Sequence, residues 1–180
     1  MKVLRLSCAV AGILCVAAAA SAQPSDSQKG PVTDSYRSWY SDYAKKYLLA
    51  AAELMPEKDY AFRPTDKVRT FGELLDHVAE TQQLFCGCLR GEDSPGSESP
   101  GNPKRTKAEV VKGLREAFAA CDAVFANATD ADLGVKVRLI GKERTKAFVF
   151  QLALSHMAEH YGNSVTYLRL KGLVAPSTKN

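Results

Sequence analysis

Twice the chain carries a threonine and, three residues later, a glutamate just ahead of a run with apolar residues every three or four positions: Thr70-Phe71-Gly72-Glu73 and Thr106-Lys107-Ala108-Glu109. This is the capping box, in which the threonine oxygen takes a free amide of the first helical turn and the glutamate reaches back to the cap. It constrains the fold because it marks where a helix must begin, and the periodicity after it marks which face is buried. From Thr70 the stripe Leu74, His77, Val78, Thr81, Phe85 and Cys88 predicts a helix to about Leu89. From Thr106 the stripe Val110, Leu114, Ala117, Phe118, Cys121 and Phe125 predicts another. Upstream, Trp39, Tyr43, Tyr47, Ala50 and Leu54 share a helical face, and that run stops before Pro56. The last helix runs from about Thr145 to Lys171 and ends at Gly172, with Pro176 beyond. Four amphipathic helices in a chain of this length predict an all-α fold, a four-helix bundle in one domain.

The connections limit the topology. GEDSPGSESPGNPKR, between the second and third helices, has no apolar period and can span ~50 Å when extended. A helix of the predicted length is ~30 Å long, so this segment can cross the whole bundle and an up-down-up-down order is not forced. LGVKVRLIGKERTK alternates around Gly141, which suits either a tiny hairpin or a loop before the last helix.

The first residues, MKVLRLSCAVAGILCVAAAASAQ, fit a secretory leader: Lys2 and Arg5 open it, an apolar stretch runs through Ala20, and Ala20-Ser21-Ala22 is an A-x-A cleavage site. The stretch is short and alanine-rich where a membrane span needs about 20 strongly apolar residues. Gly12-Ile13-Leu14 ahead of Cys15 is a poor lipidation box. The expectation is cleavage after Ala22 and export to the periplasm or the extracellular space with no membrane span retained. Residues 23–34 would form a flexible tether, 35–176 the bundle and 177–180 a tail. Loss of Lys2 and Arg5 leaves 22 basic against 20 acidic residues. That near-neutral balance excludes the concentrated basic face that nucleic acid or an anionic membrane surface requires.

Cys86, Cys88 and Cys121 remain after the leader. Buried reduced thiols are the preferred reading, with a bridge from Cys86 or Cys88 to Cys121 as the alternative in an exported protein. A CxC metal site lacks a further thiol at the spacing zinc uses.

His77, His156 and His160 are the histidines of the chain. On the last helix Val149, Leu152, Ala153, His156, His160, Asn163 and Tyr167 share one face, so the pair four residues apart lies on the inward stripe, able to aim at a single point. His77 occupies the inward stripe of the second helix, between Leu74 and Thr81. Three imidazoles on facing stripes make a candidate site for a divalent ion, with Zn–N distances of about 2.0–2.1 Å. His156-Met157-Ala158-Glu159-His160 also reads H-x-x-E-H, the inverzincin peptidase pattern. That reading fails because Tyr161–Asn180 contains no acid to serve as its third ligand.

Two segments resemble the DinB-like (YfiT-related) superfamily of metal-binding four-helix bundles. FRPTDKVRTFGELLDHVAETQ is similar to the family's short connector, capped helix and single histidine. LALSHMAEHYGNSVTYLRLKGLVAP is similar to its H-x-x-x-H, glycine, Y-L-R and G-x-x-P ending. The likeness extends from Ser35 to Pro176, and Asn163 departs from the glutamine that members often carry there. The resemblance implies that His77, His156 and His160 bind a divalent metal ion, zinc or nickel. It also implies the family's helix order with a long crossing between helices 2 and 3. Its activities include use of low-molecular-weight thiols, which belong to the cytoplasm and sit poorly with an exported chain, and metal-dependent hydrolysis.

Three functional readings follow. The first is a metal-dependent hydrolase or transferase on a small-molecule substrate, with Tyr43, Tyr47, Glu73, Thr81, Glu159, Asn163 and Tyr167 as candidate neighbours of the ion. Of these, Tyr43, Thr81, Asn163 and Tyr167 lie on inward stripes. The second is a non-catalytic metal- or ligand-binding envelope protein. The third is a structural bundle with incidental histidines. Helices 1 and 4 could also carry a homodimer surface, although the core accounts for their aromatic stripe.

Overall fold

The computed structural model describes residues 29–92 and 105–178, so the leader and most of the tether lie outside the described residues. The first bundle helix is continuous but not uniform: α1 (Pro31–Ser38), a π-helical stretch (Trp39–Lys45) and α2 (Lys46–Leu54). Then come α3 (Phe71–Arg90), α4 (Lys107–Asn127), β1 (Lys136–Leu139), β2 (Lys142–Thr145) and α5 (Lys146–Leu170), with 3-10 turns at Glu57–Asp59, Asp130–Gly134 and Pro176–Thr178. No described helix is long and apolar enough to cross a membrane.

Both capping boxes form as the sequence predicts. Thr70 accepts from the Glu73 amide while Glu73 takes the Thr70 amide at 2.7 Å, and Thr106 and Glu109 repeat the exchange. Thr145 caps α5 by accepting from the Phe148 amide.

Pairwise contacts fix the direction of each helix. Tyr36 meets Phe150 and Tyr47 stacks on Tyr161, so the first helix runs parallel to α5. Tyr40 stacks on Phe125, Lys45 pairs with Asp122 and Glu53 with Arg115, so it runs antiparallel to α4. Phe71 lies by Tyr167 and Phe85 by His156, which makes α3 antiparallel to α5. Arg105 pairs with Asp76 at one end, and Cys86 is bonded to Cys121 towards the other, so α3 and α4 run parallel. The order is up-down-down-up, as parallel α3 and α4 require, and residues 93–104 between them lie outside the described residues.

Several expectations need correction. The first helix starts at Pro31, inside the 23–34 stretch expected as a tether. Its start is capped from a distant part of the chain: the Asp130 carboxylate accepts from the Thr33 amide at 2.8 Å and the Val32 amide at 3.3 Å. A Cβ at Gly30 would lie 2.1 Å from the Asp130 carboxyl carbon, so this approach needs glycine. The buried face of the first helix is Tyr40, Ala44, Leu48, Ala51 and Met55. Trp39 and Tyr43, expected inside, are each 37% exposed. The wider π-turn alters the angular register of this helix, and the rings of Tyr43 and Tyr47 pack at the edge of the bundle against the buried Tyr161 while Tyr40, Ala44 and Leu48 enter the core.

The cysteines also differ from the preferred reading. Cys86 and Cys121 form a disulfide with Cα atoms 5.4 Å apart, and Cys88 stays reduced and buried. Residues two apart on a helix point roughly opposite ways, so Cys86 faces α4 while the Cys88 thiol donates to the Arg138 carbonyl at β1. Of the two alternatives before α5 the hairpin forms, pairing Lys136 with Thr145 through Leu139 with Lys142. Ile140 and Gly141 both take positive φ, 48° and 70°, the signature of a type I′ turn. Ser177 is held rather than trailing: its amide donates to the Tyr161 hydroxyl.

Candidate metal centre

α3 and α5 are antiparallel neighbours, and each brings its histidines to the shared face. His77 and His160 are buried, His156 half-buried. The Nε2 atoms converge: His156 stands 3.2 Å from His77 and 3.0 Å from His160. Among the described residues these three form a set of ligand atoms, one per residue, all within 4.8 Å of one another, which could hold a metal ion.

The donor set fits such an ion. Imidazole nitrogens about 2.0–2.1 Å from one ion stand about 2.9 Å apart at a right angle and about 3.4 Å apart at the tetrahedral angle. The observed separations fall inside that interval. Hydrogen bonds within the set account for the geometry less well. Thr81 donates its hydroxyl proton to the His77 carbonyl at 2.7 Å, so towards His156 Nδ1, 3.4 Å away, it can only accept. That assigns the proton of His156 to Nδ1 and leaves Nε2 with a single lone pair facing two neighbours. One lone pair serves two donors poorly, whereas an ion takes one from each ring. Phe85 stands edge-on to His156 at 5.7 Å and forms an apolar wall.

His156 and His160 are held neutral. Burial above all pushes His156 down to about 3, aided by the nearby His160, His77 and Arg69. Burial likewise lowers His160 to about 4, with contributions from His77 and Arg69. Unprotonated imidazole is the form that binds metal.

A cleft of about 630 Å³ opens onto His160, with Lys67, Arg69, Leu74, Glu159, Asn163 and Tyr167 among the residues of its wall. The sequence-predicted neighbours divide. Thr81 touches His156 as described. Asn163 and Glu159 line the cleft but are exposed, so Asn163 is not inward as expected. Tyr167 is buried and lines the cleft, yet its hydroxyl donates to the Arg69 carbonyl at 2.7 Å. Glu73 is engaged in the α3 cap, and Tyr43 and Tyr47 belong to the aromatic cluster rather than to the histidines. Sequence reading missed Lys67 and Arg69, which sit in a connector without periodicity. The signal that could have found Arg69 is its position directly before the capping threonine of the helix that carries His77.

The profile of the DinB superfamily matches residues 42–163. The uncharacterized protein YjoA of Bacillus subtilis strain 168 is 25% identical over 126 residues, covering 67% of this chain and 79% of YjoA. Three solved structures share the fold. A DinB-like protein from Bacillus cereus ATCC 10987 superposes with a TM-score of 0.66 at 14% identity, covering 79% of this chain and 95% of its own. The structure of YjoA gives 0.62 at 20% identity, covering 79% and 93%. YfiT from Bacillus subtilis, described as "a probable metal-dependent hydrolase with an unusual four-helix bundle topology", gives 0.61 at 17% identity, covering 84% and 94%. The up-down-down-up order, the histidine set and the matching profile converge on one conclusion: the chain belongs to the DinB superfamily.

Proposed function

We propose that the protein binds one divalent ion, zinc or nickel, on His77, His156 and His160, and that it is an exported metal-dependent enzyme, a hydrolase or transferase acting on a small molecule. The observation that carries this reading is the convergence of three imidazoles from two helices, with His156 Nε2 standing 3.2 Å from that of His77 and 3.0 Å from that of His160. Neutral imidazole suits zinc and nickel. Three protein ligands are the pattern of catalytic sites, whereas structural zinc sites fill all four places. A bound ion would supply Lewis acidity towards a substrate oxygen or nucleophile. The chain supplies the rest: burial that keeps His156 and His160 unprotonated, an apolar wall at Phe85, and a cleft that admits a small molecule beside His160. Glu159, on the cleft wall, is the acid placed to exchange a proton there.

The likeness to YfiT, with its hydrolase description, supports the enzymatic side. Export rests on the leader 1–22, and the Cys86–Cys121 disulfide supports it, because such bonds persist in oxidising compartments. One observation favours the second reading, a non-catalytic metal- or ligand-binding envelope protein: among the described residues no carboxylate joins the histidine set.

The test is metal content by mass spectrometry on untagged protein from Gln23 onward, beside His77→Ala and His160→Ala. We expect about one equivalent in the parent, and a metal affinity about ten-fold lower or worse in each variant with helicity kept. A metal-free parent after reconstitution would overturn the site. Metal retained without turnover of ester, amide and phosphoester panels would select the non-catalytic reading.

A further inference from the structure

We propose that the cleft beside the histidines binds a small organic anion, its acidic group held by Arg69 while its other end reaches the histidine centre; the second half of this statement rests on the metal reading above. Four arginines of the protein, Arg37, Arg90, Arg105 and Arg115, are paired with carboxylates. Arg69 is half-buried on the cleft wall and has neither an ion pair nor a side-chain hydrogen bond among the described residues. A guanidinium partly withdrawn from water and left without an anion is complementary to a carboxylate, which it can grip through two parallel hydrogen bonds.

Its backbone is anchored at the cleft. The Arg69 carbonyl is clasped by the Tyr167 hydroxyl at 2.7 Å, and the next residue, Thr70, is the cap of α3. The anchoring lowers the ordering cost of binding. The α3 amides do not supply the anion site instead, because Thr70 and Glu73 already occupy the cap. Arg69 and His160 line the same cleft, so a ligand held at the guanidinium lies beside the histidine centre. Lys67 adds a second, exposed cation to the wall, and Glu159 is the opposing carboxylate. A divalent ion on three neutral ligands would raise the positive field further. Two cations, one of them half-buried, opposed by one carboxylate leave a net single positive charge on the wall, which suits a small molecule with a single acidic group over a dense polyanion, and about 630 Å³ is a volume suited to such a ligand.

The test compares two probes by calorimetry on the metal-loaded protein and on Arg69→Gln: succinic monohydroxamate, which carries a carboxylate and a metal-chelating end, and the matching uncharged amide. The proposal expects the acid to bind at least ten-fold tighter than the amide, and this preference to fall to about three-fold or less in Arg69→Gln. Lys67→Gln should change it less than three-fold. Equal binding of the two probes, or a preference that survives in Arg69→Gln with helicity intact, overturns the anion site and leaves the metal reading standing. If the protein takes up no metal, the metal reading has failed separately. The acid-over-amide preference is then read on the metal-free protein, where its dependence on Arg69 supports the anion site and its absence overturns it.

Discussion

At the scale of single residues the centre depends on protons. Thr81 is the side chain that fixes the tautomer of His156, and it does so with a hydroxyl whose own proton is committed to the His77 carbonyl. Thr81→Ala should therefore keep the helices and lower metal affinity roughly ten-fold, the small end of the range for removing a group that orients a ligand. A chelator competition against the parent checks this. The depressed values of His156 and His160, about 3 and about 4, carry a second prediction. In the unfolded chain both rings take up protons near pH 6.5, and the fold refuses them, so stability is full above about pH 6.5 and is lost as pH falls towards 3–4. After allowance for residual solvent at the site, metal-free protein should lose about 2 kcal/mol between pH 7.5 and pH 5. Urea denaturation at the two pH values measures the loss, and His156→Ala should flatten it.

Secondary-structure elements show where periodicity was a sufficient guide and where it was not. In α4 every stripe residue, Val110 through Phe125, is buried as its spacing requires, because this helix has one core face and a solvated back. In the first helix the same reasoning picked the neighbouring stripe. Aromatic residues at Trp39, Tyr43 and Tyr47 gave a strong apolar signal, yet the π-helical turn and the ring cluster with Tyr161 placed them at the edge. α3 is buried on most of its circumference, including Asp76, His77 and Gln82, so no stripe could describe it. Its tie to α4 is covalent. The Cys86–Cys121 bond closes a loop with a sequence separation of 35, and the chain-entropy relation gives such a cross-link about 3–4 kcal/mol. Reduction, or Cys121→Ala, should lower stability by about 2–4 kcal/mol, read as a shift of the urea midpoint, while Cys88 stays protected from thiol reagents until unfolding.

For the whole molecule, parallel α3 and α4 make the connection between them a structural requirement. Sixteen residues separate Arg90 from Lys107, and the stretch of α3 from Asp76 to Arg90 that they must travel back along is about 21 Å, with a sideways step of about 8–10 Å to the neighbouring helix. Removing about twelve of them leaves five Cα–Cα steps, a link that reaches only about 17 Å. Such a deletion should prevent the Cys86–Cys121 bond from forming, detected as two additional reactive thiols. A bundle in which the bond still formed would mean that α3 and α4 are not parallel.

The sequence by itself determined the number of helices, two of their starts through Thr70 and Thr106, the all-α class, and the three residues that meet at the centre, because capping and 3.6-residue periodicity are local chemistry written in consecutive side chains. The tertiary structure alone decided the rest. Asp130 caps a helix nearly a hundred residues away, Cys86 rather than Cys88 finds Cys121, and Arg69 comes to line the cleft beside His160 with its backbone held by Tyr167. Each depends on which distant segments become neighbours, and that follows from burying four apolar faces at once, a condition no single stretch of the chain contains.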